Sequence, residues 1–169
     1  MASLDTEATR RMRLFIGHAE AAVDGKGRLA MPLRYRRLLL QDDHDTFVVG
    51  LGLDGQLWAF PYLVWAELCG RIRDVHPANP YSEDQSSFHR RFTQESDECR
   101  LDPQGRLLLP SKHRTKAKIG TRAIVAGSLD WLEIWEPGAY ADSRAKSDKT
   151  AEASARRIVL PPRLRPAEE

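Results

Sequence analysis

One stretch of this chain occurs twice: Val23-Asp-Gly-Lys-Gly-Arg-Leu-Ala-Met-Pro-Leu-Arg-Tyr-Arg36 returns 78 residues later as Leu101-Asp-Pro-Gln-Gly-Arg-Leu-Leu-Leu-Pro-Ser-Lys-His-Arg114. Both copies obey Asp-x-x-Gly-Arg-x-x-x-Pro-x-x-x-Arg. Such a repeat implies two similar supersecondary units related by a pseudo-twofold axis, so any surface the motif builds is built twice. Half of a 169-residue chain is too small to bury a comfortable core alone, and the two units are therefore expected to share one.

The net charge of +2 becomes informative once it is divided. Residues 14–140 carry 16 Lys and Arg against 17 Asp and Glu. Within them, windows 24–37 and 102–118 each hold five basic residues and one Asp, which leaves the remainder at −9. Positive charge is thus concentrated on the repeated motif, the distribution expected for a polyanion partner. A composition of 41% hydrophobic and 30% charged residues suits a soluble globular protein. No apolar run approaches the roughly 18 residues of a membrane span, and the polar N-terminus lacks a signal-peptide core, so a cytoplasmic protein is expected. Cys69 and Cys99 have no partners at metal-ligand spacing, so neither a zinc site nor a disulfide framework is predicted.

Along the chain, residues 1–13 read as a flexible arm ending in Arg10, Arg11 and Arg13. The first repeat with its following helix is placed at 14–73. In it, Leu14 to Val23 and Arg28 to Met31 are extended around an Asp24 to Gly27 hairpin or tight connection. Pro32 opens a helix running through Leu38 to Leu40. Strands Thr46 to Gly50 and Leu57 to Phe60 follow, and Pro61 to Arg73 forms a helix with an apolar stripe of Trp65, Leu68, Cys69 and Ile72. A linker and helix at 74–97 carries a capping box, Ser82 with Gln85, ahead of Phe88 and Phe92. The second repeat, 98–140, has strands Arg106 to Leu109 and Arg122 to Gly127. Its Leu129 to Pro137 mirrors Leu53 to Pro61 at an offset of 76. Residues 141–169 read as a polar helix to about Lys149 and a basic disordered tail.

The motif's chemistry follows from its residue types. Gly27 and Gly105 permit backbone that other residues adopt at a cost, and Asp24 and Asp102 can bond the amides of the turns they open. Arg28 and Arg106 then emerge at the start of rigid strands, suited to a guanine edge or to a phosphate. Lys26, Arg34, Arg36, Lys112, Arg114 and Lys116 would add phosphate contacts. The structural alternative is an Asp to Arg salt bridge internal to each turn. Trp58, Trp65, Trp131 and Trp135 are expected to pack in the core or at a subunit interface rather than to stack on bases.

Phe15-x-Gly17 ahead of the first motif, Gly52-Leu-Asp-Gly-x-Leu-Trp58, Phe92 before Cys99 to Arg106, and Leu129-Asp-x-x-Glu-Ile-Trp135 together resemble the MraZ family, bacterial regulators of the division and cell-wall gene cluster. The resemblance covers about residues 14–140. It implies an α+β fold: a duplicated, AbrB-like swapped hairpin, or double-split β-α-β barrel, closed within one chain as a pseudo-dimer with flanking helices. It also implies ring-shaped homo-oligomers, nucleoid association, and binding of double-stranded DNA at direct repeats upstream of its own operon. By motif position the DNA-contacting arginines fall on Arg28 and Arg106, with Lys26 beside them. This chain departs from the family in three places. Ile16 stands where arginine is usual, so a basic contact at that edge would have to come from Arg11 or Arg13. Thr93 to Asp97 replaces a small-residue stretch, and Lys26 in the first motif is matched by Gln104 in the second.

Other function classes fit less well. His18, His44, His76, His89 and His113 are scattered, with no metal spacing, nucleophile elbow or phosphate-binding loop. No enzyme, metal, cofactor, small-molecule substrate or membrane partner is expected. An antitoxin-like protein-binding module on the same fold is the alternative, although residues 141–169, with seven basic and five acidic side chains, suit a nucleic-acid-facing arm better.

Overall fold

The computed structural model describes residues 13–75 and 90–155. In chain order they form β1 (His18–Ala22), β2 (Arg28–Ala30), α1 (Leu33–Arg36), a 3-10 turn (Gln41–Asp43), β3 (Thr46–Leu51), β4 (Leu57–Pro61) and α2 (Tyr62–Val75). Then come β5 (Ser96–Arg100), β6 (Arg106–Leu108), α3 (Ser111–Lys116), β7 (Arg122–Ser128), β8 (Trp131–Trp135) and α4 (Pro137–Ala155). Residues 90–94 are also helical. The content is α+β with antiparallel sheet, as expected. The chain divides at Pro137 into two compact units, and α4, a polar helix six residues longer than expected, is the described part of the second.

Each Asp-x-x-Gly turn is tight, but the strands on either side of it separate. Only single bridges, Val23 to Leu29 and Leu101 to Leu107, join them locally. β1 goes on to pair with β7, from His18 opposite Ala126 to Ala22 opposite Arg122. β5 pairs with β3 in the same way. Each repeat therefore completes the other's sheet, giving the order β1-β7-β8-β4-β3-β5. Of the two expected readings, hairpin or tight connection, the turns are tight connections that hand one strand to this sheet and the other to a separate ribbon, β2 against β6. The connection after β3 is longer than its counterpart: Leu51 pairs with Leu57, whereas Ser128 pairs with Trp131 across two residues. The expected offset of 76 consequently becomes 75 in β4 and β8, where Leu57 corresponds to Leu132.

Strand alternation assigns the two faces of the sheet. Leu57 and Ala59 join Phe47, Val49, Val125, Leu132 and Ile134 in a core closed by Leu29, Leu107, Met31, Leu109 and Tyr35 from the ribbon side. Trp58 and Phe60 point the other way, into an aromatic cluster with Trp65, Phe92 and Trp131. There Trp65 stacks on Phe92 at 4.3 Å and Phe60 lies 5.6 Å from Trp131. The tryptophans are thus packing residues, as expected, and Trp135 is buried. Ser82, Gln85 and Phe88 lie outside the described residues.

Two expectations near the N-terminus change for one reason. Asp43 is fully buried, and its carboxylate accepts from the amides of Leu40 (2.8 Å) and Leu63 (3.0 Å) and from the Arg13 guanidinium. A buried carboxylate needs such partners, and satisfying them bends the chain into the 3-10 turn. Leu40 is extended, so α1 stops at Arg36 instead of reaching Leu38 to Leu40. Arg13 is buried with its acid and is neither part of a loose arm nor a surface contact in place of Ile16.

Leu29 faces Leu107 at the centre of the ribbon, and both are fully buried. Truncating either to alanine is expected to cost about 2–5 kcal/mol, read as a shift in the urea midpoint at unchanged slope. A loss under 1 kcal/mol at both sites would mean that the ribbon is not part of the shared core.

Candidate nucleic-acid interface

The two motif turns are built alike to within tenths of an ångström. The Asp24 amide donates to the Arg28 carbonyl (3.0 Å) and the Gly27 amide to the Asp24 carbonyl (2.8 Å); Asp102, Gly105 and Arg106 repeat this at 2.9 and 2.8 Å. Oδ1 of Asp24 accepts the amides of Lys26 and Arg28, both at 3.0 Å, while Oδ1 of Asp102 accepts those of Gln104 and Arg106. Gly27 and Gly105 sit at φ +83° and +75°, where a side chain is strained. The burial pattern is identical across 24–36 and 102–114.

Both arginines are ion-paired with the aspartate of their own turn: Arg28 Nε lies 2.7 Å from Asp24 Oδ2, and Arg106 Nε 2.7 Å from Asp102 Oδ2. The internal salt bridge and the outward-facing arginine are therefore compatible. The pair commits Nε in each; the two Nη nitrogens of Arg28 are donors for an outside acceptor, and those of Arg106 keep further N–H groups for one although Nη2 also donates to Gln104 Oε1 at 3.3 Å. Each arginine is about one third exposed, on the ribbon face opposite Leu29 and Leu107, where Ala30 and Leu108 are also exposed. The backbone amide of Arg28, then its guanidinium and the Lys26 amide, hold the Asp24 carboxyl at about 2, below its ordinary 3.8. Asp102 is lowered likewise, first by the Arg106 amide. Carboxyls lowered by the amides and arginines of their own turns stay ionised as anchors of those turns.

Arg36 and Arg114, the last residues of the motif, reach across the pseudo-twofold. A Cβ on Gly27 would lie 2.6 Å from the Arg114 guanidinium carbon, and one on Gly105 would collide with Arg36. Each turn is roofed by the other repeat's arginine. The Nε atoms of both are buried without a hydrogen-bond partner, so that part of each side chain acts by packing. Sequence spacing alone did not reveal this crossing, because it depends on how the two copies interlock.

The remaining cations differ between repeats. Lys26 is exposed at the first tip. Arg34 lies over the Tyr35 ring at 4.5 Å and donates to its hydroxyl at 2.7 Å; that hydroxyl donates to the Gly17 carbonyl at 2.8 Å. At the corresponding positions of the second repeat, Lys112 Nζ is 2.8 Å from Asp97 and His113 Nε2 is 2.7 Å from the same oxygen; Lys116, which stands where the first repeat has Leu38, has Nζ 2.7 Å from Glu95. Asp97 and Glu95 stand 78 residues after Ala19 and Gly17, and that mismatch was the available signal for these neutralising acids. Cys99, buried beside them, has its thiol pushed up to about 12 by desolvation, which disfavours the thiolate.

Residues 92–160 match the family model described as "MraZ protein, putative antitoxin-like". The "Transcriptional regulator MraZ" of Desulforamulus reducens is 33% identical over 147 residues, 86% of this chain and 98% of that protein. Those of Lactiplantibacillus plantarum and Roseiflexus sp. are 35% and 34% identical, covering 72% and 86% of this chain and 82% and 97% of theirs.

His113 generates a pH prediction. Burial pushes its pKa below the ordinary 6.5, outweighing the Asp97 hydrogen bond. The unfolded chain therefore binds a proton that the folded chain resists, and stability falls as pH drops below about 6.5. Asp97 is also lowered: burial opposes this, and the bonds from Lys112 and His113 prevail, so its contribution is lost further into acid. Urea midpoints between pH 7 and 5 should fall more steeply for wild type than for His113→Gln. Parallel slopes would remove His113 as the titrating group.

Proposed function

The chain belongs to the MraZ family, and from that premise we propose that it is a sequence-specific, double-stranded DNA-binding transcriptional regulator acting through its two Asp-x-x-Gly-Arg turns. One observation carries the reading: two arginines, each held at Nε by its own turn, share the outward face of a two-stranded antiparallel ribbon. The major groove of B-form DNA admits such a ribbon, and an arginine held in one direction can pair with guanine O6 and N7. Lys26, Arg34, Lys112 and the outer ends of Arg36 and Arg114 flank it as phosphate contacts. The exchange of β1 and β5 between repeats supports the AbrB-like swapped-hairpin pseudo-dimer as its architecture.

In this reading the protein acts by binding, without catalysis, at direct repeats upstream of its own division and cell-wall operon. It is cytoplasmic and nucleoid-associated, and it assembles into homo-oligomeric rings. A single chain binds weakly, and joining subunits over spaced repeats raises avidity by about 10² to 10⁴. Among the described residues no helix is long and apolar enough to cross a membrane. The antitoxin-like wording of the family description favours one second reading, a module that binds a protein partner.

The test is binding of wild type and the Arg28→Ala/Arg106→Ala double variant to the upstream fragment and to scrambled DNA across a salt series. Each arginine is expected to contribute about 1–3 kcal/mol, and preference for the upstream fragment should vanish in a still-folded double variant. A preference untouched by the variant, or none in wild type, would transfer the motif to a structural role and favour the protein-partner reading.

A further inference from the structure

The pseudo-twofold that relates the two turns is broken on the surface they share. At the first tip the exposed side chain is Lys26, and at the second it is Gln104. Gln104 Oε1 accepts from Arg106 Nη2 at 3.3 Å, and Asp24 Oδ2 lies 3.9 Å from Arg106 Nη1, in addition to the Asp102 pair on Nε. Arg106 is thus braced by three side chains, whereas Arg28 has one ion pair, to Asp24. The flanks differ in the opposite sense. Lys112 and Lys116 are neutralised by Asp97 and Glu95, while the first-repeat positions of those two acids are the uncharged Ala19 and Gly17, the latter beside the Arg34 guanidinium. One end of the ribbon carries net positive charge, with Lys26 exposed and Arg28 held only at Nε. The other has its two flanking lysines paired with acids and carries an arginine held next to an amide.

We propose that the chain engages duplex DNA in one orientation only, with the first-repeat tip, Lys26 with Arg28 and Arg34, anchoring on phosphates and the second-repeat tip, Gln104 with Arg106, reading bases. The inference rests on the DNA-binding reading above and divides its labour. A lysine is a hydrated point charge that holds phosphate without geometric demand, and an arginine anchored at Nε alone, with both Nη nitrogens outward, serves the same end. A guanidinium held from three sides keeps the fork geometry that guanine requires, and a glutamine amide two residues away offers the donor and acceptor that match adenine. Paired flanking lysines suit a base reader, because surplus charge there would raise affinity for every sequence alike. A pseudo-symmetric protein thereby acquires a direction on DNA, which suits a site repeated head to tail.

The experiment exchanges the tips singly and reads affinity for a one-repeat duplex and for scrambled DNA over a potassium chloride series, with thermal melting to verify folding. Lys26→Gln should lower the slope of log affinity against log salt by about one and weaken both duplexes alike, keeping their ratio. Gln104→Lys should raise that slope by about one and reduce the cognate-to-scrambled ratio about tenfold. Single 7-deazaguanine substitutions, which remove N7, should weaken wild type at one side of the repeat only, and that sensitivity should disappear in Arg106→Ala but survive in Arg28→Ala. Sensitive guanines on both sides, each silenced by a different arginine variant, would overturn the polarity and leave the DNA-binding reading intact. Equal and opposite effects of the two exchanges on the cognate-to-scrambled ratio would do the same. A wild type that does not distinguish the two duplexes would overturn both.

Discussion

Everything in the first unit depends on two short strands finding each other. β2 and β6 are three residues long, and neither has a long partner within its own repeat. Their pairing places Leu29 against Leu107, and the ladder is extended at both ends by the Met31 amide on the Gly105 carbonyl and the Leu109 amide on that of Gly27. The turns then come close enough for Arg36 and Arg114 to cross and roof the glycines. A side chain at either glycine would lift that roof, so the requirement for glycine comes from the opposite repeat as much as from local backbone geometry. Fold and candidate surface are one construction: the pairing that closes the core also sets the two arginines on one face.

The duplicated motif made much of this legible. Turn, strand, proline and short helix follow from residue types, and the recurrence implied a shared core, which the joint contribution of Ala21, Cys99, Leu29, Leu107, Val49 and Val125 supplies. What the sequence left out is where strands go after a turn. A local reading pairs β1 with β2 because they are adjacent, and nothing in the intervening residues says that β1 will meet a strand about a hundred positions away. The helix overrun past Arg36 has a similar origin, since only the buried Asp43, with partners drawn from residues 13, 40 and 63, explains the early stop. Arg28 and Arg106 were recognisable as candidate contacts by position. Their Nε anchoring was one of two readings, and the structure makes both compatible.

Charge acts here by placement more than by amount. The acidic remainder of the first unit is not spread evenly: Asp24 and Asp102 fix arginines, Asp43 stabilises a buried bend, and Asp97 with Glu95 quietens the second repeat's lysines. The lysine pairs are half exposed and contribute little to stability, typically under 1 kcal/mol, yet they determine which flank retains its field. Two repeats with the same backbone, turn geometry and burial pattern can in this way present different chemistry.

The exchange of strands also bears on how the chain comes into being. His18 pairs with Ala126, so at about 5–20 residues per second of synthesis the first strand waits several seconds for its neighbour to be made. Contacts this distant in sequence close slowly and only after the chain entropy of a long loop has been overcome. A nascent first repeat meanwhile exposes β1 and β2 as unpaired strand edges, the kind of surface that joins whatever similar edge is nearest. On a polysome the nearest such edge belongs to the neighbouring copy, and the architecture that lets one chain embrace itself leaves two young chains able to embrace each other.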